Sequence, residues 1–341
     1  MNKQLNWGII GYGNASKHFI ESFDYNLSSK IKAIATRSNY KKLYEKNKFL
    51  VFQDYKDILK LKDIDIIYIS VVNSLHKEII DLCIKNKKNI LVEKPSCLKF
   101  SELESSIEKI KLNKIFFKES ILYLSHPIKN KILEIIKNND IGKIIKINSN
   151  YGFNFIKKKF FFFKNKKKYN LNIFNKDLGG GAIYNFGHYP LSAVNIFSMK
   201  KNPKKIIKIK AKSLIGFTNV DEFSSLDLTF NDGLEAKIQV ALNKNLKSFI
   251  EIKGEKGTIS IDNPWVPQNS FNIKLKNDQK GERVFNFNET RNMWSYEIDS
   301  IEKNIFNNSF QSDLLGAKWE DSLWYLKLID QWKSKSINEN I

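Results

Sequence analysis

The sequence predicts an α/β fold in two parts. An N-terminal Rossmann-like, doubly wound parallel sheet covers residues 1–118, and a C-terminal α+β domain with an open, largely antiparallel sheet covers residues 119–341. Three observations predict it. Short apolar segments alternate with helical stretches through the first third of the chain. A glycine turn, Gly11-Tyr12-Gly13, joins the first such segment to the first helix. After Glu119 the pattern changes to period-2 segments separated by turn signals.

Taken in order, Asn6–Ile10 is a strand, followed by the glycine turn and a helix to about Phe23. Ile31–Thr36 is a second strand, with a helix near Tyr40–Asn47; Leu50–Phe52 is a third, with a short helix over Tyr55–Leu61. Ile64–Val72 is rich in β-branched residues and shows no alternation, the pattern of a strand covered on both faces. In Ser74–Asn86, His76, Ile79, Ile80, Cys83 and Ile84 recur at helical spacing. Asn89–Val92, a helix over Ser101–Leu112 and the strand Ile115–Phe117 complete the alternation. Beyond it come a helix over Pro127–Asn138 and strands at Lys143–Phe155, Lys205–Ile215, Glu222–Phe230, Leu234–Leu242, Phe249–Gly254 and Thr258–Ile261. Two late helices, about Trp294–Asn307 and Gly316–Ser334, carry apolar stripes that pack back on the core.

Composition excludes several classes. The net charge of +21 comes from 57 basic residues, yet only Arg37, Arg283 and Arg291 are arginine. Bidentate reading of bases and phosphates relies on arginine, so no nucleic-acid partner is expected. No apolar run reaches the roughly 18 residues of a membrane span, and Met1–Gly13 lacks an apolar signal core. A cytoplasmic location without membrane insertion is expected, with Cys83 and Cys97 as small buried hydrophobes. No metal ligand set is expected. The segment 155–169, "FIKKKFFFFKNKKKY", is read as a lysine-rich solvated loop whose Phe residues plug the domain interface, the alternatives being an electropositive lip for an anionic substrate or an aromatic contact with a membrane surface or another subunit.

The chemistry gathers at strand ends. Gly11 and Gly13 let the backbone approach a pyrophosphate lying at the helix N-terminus beside Asn14 and Ala15. The third position of the usual G-x-G-x-x-G is Ser16. Strand two ends in Thr36-Arg37-Ser38, where an acidic residue would favour NAD. Arg37 can pair with a 2′-phosphate to which Thr36 and Ser38 donate, so the cofactor is NAD(P) with NADP favoured over NAD. Asn73 and His76 follow strand four, and Glu93, Lys94 and Pro95 follow strand five. In an open parallel sheet, ligands bind beyond such carboxyl ends.

"VVNSLHKEIIDLCIKNKKNILVEKP" resembles the Asn-x-x-His and Glu-Lys-Pro pattern of the Gfo/Idh/MocA oxidoreductase family. "LGGGAIYNFGHYPLSAV", residues 178–194, is similar to its Gly-Gly-Gly-x-Leu-x-Asp-x-Gly-x-Tyr-Pro helix, and the segment around Glu119 and His126 resembles a further motif. The resemblance implies an NAD(P)-dependent oxidoreductase acting on a secondary alcohol or ketone of a sugar, sugar derivative or cyclitol. Lys94 is then the catalytic lysine, and Asn73, His76 and Glu93 lie on the cofactor side, although His76, on a helical face with Ile79 and Ile80, equally suits a satisfied core histidine. Many members carry Asp and then His four residues on; here the positions are Asn185 and Tyr189, with His188 just before. An amide cannot exchange a proton, so Tyr189 is expected to be the proton donor, with Asn185, His188 and Glu119 binding a sugar-like substrate. A homodimer or homotetramer through the C-terminal sheet is expected. The alternative is a non-catalytic dinucleotide-binding regulatory protein on the same scaffold.

Overall fold

The computed structural model describes residues 4–26, 28–37, 49–156, 169–198, 205–266, 270–312 and 316–340. Ser38, the helix expected at Tyr40–Asn47 and most of segment 155–169 lie outside the described residues. Two compact units result: residues 1–126 with 291–324, and residues 127–290 with 325–341. The first therefore runs past the expected boundary at 118 and takes back a late segment of chain.

In the first unit, strands β1 (Leu5–Ile10), β2 (Ser29–Ala35), β3 (Leu50–Phe52), β4 (Ile66–Ile69), β5 (Asn89–Glu93) and β6 (Phe117–Ser120) form one sheet. Its order is β3-β2-β1-β4-β5-β6 and every pairing is parallel. The order reverses between β1 and β4, where an open α/β sheet has its ligand crevice. All four residues of β4 are buried, which explains their lack of alternation. Helices α1 (Asn14–Glu21), α2 (Tyr55–Leu59), α3 (His76–Lys85) and α4 (Phe100–Asn113) link the strands. A late helix, α8 (Met293–Phe306), returns to this unit: Ile298 and Ile301 join Trp7, Phe19, Tyr68 and Leu91 in one buried core.

Among the described residues of the second unit, nine strands run in the order β14-β13-β12-β11-β7-β10-β9-β8-β15. They are β7 (Ile144–Gly152), β8 (Ile206–Ile215), β9 (Asp221–Phe230), β10 (Glu235–Ala241), β11 (Phe249–Gly254), β12 (Gly257–Asp262), β13 (Ser270–Asn277), β14 (Gly281–Asn288) and β15 (Ser336–Asn340). Only the β7–β10 and β8–β15 pairings are parallel. Strict alternation of exposed and buried residues in β13, and nearly so in β10, leaves one face of the sheet polar and open. Helices α5 (Pro127–Lys137), α6 (Ala182–Phe186), α7 (His188–Phe197) and the C-terminal end of α9 (Trp319–Lys335) belong to this unit. Among the described residues no helix is long and apolar enough to cross a membrane.

Candidate active site

The glycine turn is held from three sides. The Gly11 N–H donates to Ala35 O (2.9 Å) and the Ser70 N–H to Ile10 O (2.9 Å), tying the ends of β1, β2 and β4 together. Gly11 has φ +103°, and a Cβ there would stand 2.4 Å from Ser70 O. A Cβ on Gly13 would meet nothing within 4 Å, so open space lies over the turn where a pyrophosphate approaches. Ser16, in place of the third glycine, is fully buried. Its hydroxyl donates to Gly11 O (3.1 Å), accepts from the Gly13 N–H (3.3 Å) and meets the Ser70 hydroxyl at 2.5 Å. The departure from the glycine pattern is thus a hydroxyl latch whose partner, Ser70, no local motif announces. Gly13 and Asn14 are exposed and Ala15 is half-buried. These features fit a dinucleotide.

Beyond β2, Arg37 is exposed, with its guanidinium 4.5 Å from the ring centroid of Tyr55. Tyr55, absent from the sequence prediction, thereby holds the fork in place. Thr36 is buried, and its N–H donates to Phe52 O (2.9 Å).

Beyond β4 and β5 the outcome is mixed. Asn73 is half-buried. His76 was expected to face the cofactor, but it is fully buried, with Nδ1 2.7 Å from Pro95 O and Nε2 3.2 Å from Val71 O. Its ring clasps the loops after β4 and β5, and burial holds its pKa down to about 4. Lys94 is half-buried and directly follows β5, ahead of a cis bond to Pro95. Burial lowers its pKa, opposed by the carboxylates of Glu93 and Glu119. Glu93 accepts from the Tyr68 hydroxyl (2.7 Å), and burial raises its pKa. Glu119 was expected to touch substrate; it is 1% exposed and accepts the Ser96 N–H at 2.8 Å. It therefore fixes the loop that carries Lys94. Burial raises its pKa too, against the hydrogen bond from Ser96.

In the second unit the glycine-rich motif folds as two helices, α6 and α7, with Gly187 at the break. Asn185, half-buried, donates from Nδ2 to Gly181 O (2.7 Å). A carboxylate at this position would set oxygen against oxygen, so the amide suits its surroundings. Tyr189 is 6% exposed, its ring 5.4 Å from Tyr151 and 6.0 Å from Trp265. His188, expected to hold substrate, opens α7 fully buried, so its imidazole offers no surface to a ligand.

Comparison with known proteins agrees with both halves. Residues 5–117 match the family model described as the GFO/IDH/MocA oxidoreductase family, NAD-binding Rossmann fold, and residues 130–260 match the GFO/IDH/MocA C-terminal domain. Over 267 residues the chain is 26% identical to trans-1,2-dihydrobenzene-1,2-diol dehydrogenase of Xenopus tropicalis, covering 76% of each chain. The fold matches the 3-ketoreductase KijD10 of Actinomadura kijaniata, crystallised with NADP and TDP-benzene, at TM-score 0.86 and 18% identity over 99% of this chain and 100% of that one. It also matches aldose-aldose oxidoreductase of Caulobacter crescentus complexed with glycerol, at TM-score 0.83 and 18% identity over 98% of each. A turn shaped for a dinucleotide, a lysine at the mouth of the parallel sheet and two matched domains together make this chain a member of the Gfo/Idh/MocA family of NAD-binding oxidoreductases.

Proposed function

We propose that the protein interconverts a secondary alcohol and a ketone on a sugar, sugar derivative or cyclitol, with Lys94 and Tyr189 handling the proton. The observation that carries this reading is Lys94 itself: an ammonium on the residue directly after β5, at the same sheet edge as the glycine turn, with Glu93 and Glu119 as its counter-charges. The named relatives support it, since they are a dihydrodiol dehydrogenase, a 3-ketoreductase and an aldose-aldose oxidoreductase.

When bound, the nicotinamide donates or accepts the hydride. Gly11 and Gly13 leave room for the pyrophosphate, and Ser16 keeps the turn in shape. Nζ of Lys94 holds a proton at the substrate oxygen. Its charge stabilises an alkoxide, and its lowered pKa brings proton exchange nearer to neutrality. Oη of Tyr189 serves as the second proton donor, and Asn185 orients the substrate. Arg37, held against the Tyr55 ring, donates to the 2′-phosphate of NADP and so favours it over NAD.

A nicotinamide absorbance assay against sugars, nucleotide sugars, inositols and cyclic diols tests the reading. Lys94→Ala is expected to lower kcat/KM by at least about 100-fold with dinucleotide affinity retained; undiminished turnover overturns the mechanism. Dinucleotide binding by a wild-type protein that turns over none of the panel moves the assignment to a regulator. Arg37→Ala is expected to weaken NADP binding by roughly 10- to 100-fold and NAD binding little, and equal losses remove the NADP preference.

A further inference from the structure

A carboxylate outside the glycine-rich motif completes the helix that carries Asn185 and leads into the one that carries Tyr189. Helix α6 has five residues and begins after Gly181, which has no side chain to cap it. An uncapped helix start leaves orphan backbone N–H groups, and buried ones are costly. The partner comes from the other end of a loop. Asp221, the first residue of β9 and 7% exposed, accepts the Ile183 N–H on Oδ2 at 2.7 Å and the Ser224 hydroxyl at 3.3 Å. Its Oδ1 occupies the space of a side chain at residue 181: a Cβ on Gly181 would lie 2.2 Å from it. Gly181 sits at φ +114°, a conformation that glycine adopts freely. The missing Cβ and the seated carboxylate thus fit as one unit, which sets where α6 starts and hence where Asn185 and, after the break at Gly187, Tyr189 are presented.

We propose that Asp221 is a positioning residue for the reaction, acting through the Ile183 N–H on the helix that carries Asn185 and the turn into Tyr189. This rests on the oxidoreductase reading above. Burial raises the Asp221 pKa, while the Lys333 ammonium and the Ile183 N–H oppose the rise.

The test compares Asp221→Ala, Asp221→Asn and Ser224→Ala with the wild-type protein. Asp221→Ala is expected to lower kcat on the order of 10- to 100-fold with NAD(P)H affinity unchanged, because the dinucleotide turn lies in the other unit. Asp221→Asn, which keeps an acceptor for the Ile183 N–H, is expected to restore most of kcat. Amide exchange over residues 182–189 is expected to speed up in the Ala variant and not in the Asn variant. Wild-type kcat in Asp221→Ala, or an Asn variant no better than Ala, overturns the proposal. If Asp221→Ala does not fold, Ser224→Ala decides: a smaller fall in kcat at unchanged NAD(P)H affinity supports the role, and an unchanged kcat removes it. If the wild type turns over no substrate, the reaction reading fails by itself. The exchange pattern then decides the Asp221 role, with equal exchange in all variants ruling it out.

Discussion

His76 is a buried imidazole between two carbonyl oxygens, and a neutral ring donates through only one nitrogen. Its folded pKa of about 4 lies below the ordinary 6.5. Between those values the unfolded chain takes up a proton that the folded chain refuses. The contribution is therefore complete above pH 6.5 and lost as pH falls toward 4, by up to ~3 kcal/mol. Glu93 and Glu119, with raised pKa values, act in the opposite sense, losing stability as pH rises above 4.5. Urea unfolding of wild type and His76→Gln at a series of pH values separates the two. The wild type is expected to lose more stability between pH 6.5 and 4 than the variant, and parallel curves would refute the clasp. The sequence showed His76 at helical spacing with Ile79, Ile80 and Cys83, all of them buried. That spacing carried its true position, while the motif pointed to a ligand.

At the scale of elements, the glycine turn is the most constrained. Gly11→Ala combines a φ of +103° with a Cβ 2.4 Å from a backbone oxygen, a strain of about 1–3 kcal/mol or more. A lower Tm and weakened dinucleotide binding are expected together; a variant with wild-type values of both would show that the turn tolerates a side chain. The turn was legible because glycine, strand and helix adjoin in sequence. The Ser16–Ser70 latch was not, since its partners are 54 residues apart. The same separation hid Asp221, 38 residues from Ile183. The hairpin of β13 and β14 was missed for another reason. "SFNIKLKN" alternates cleanly, with Phe271, Ile273 and Leu275 inward, so the signal was present in the period, although lysine and asparagine at the outward positions resemble the loops around it. The break at Gly187 was lost because residues 178–194 read as one motif helix.

For the whole molecule, the open face of the nine-stranded sheet bears on assembly. Exposed Lys210, Asp227 and Lys237 lie side by side on β8, β9 and β10. Such a face can meet water, or a second copy through complementary charge. A homodimer or homotetramer joined through it is expected from sedimentation, with Lys237→Glu combined with Lys274→Glu shifting the mass toward monomer. A wild-type protein that sediments as a monomer would refute this assembly.

The first unit closes its core with a helix that is translated late. Trp7, Phe19 and Leu91 emerge from the ribosome long before Ile298 and Ile301, which pack with them. Throughout synthesis of the intervening sheet, the earliest apolar surface has to wait uncovered. Such a nascent chain depends on chaperone holding or slow collapse more than one whose domains are completed in order.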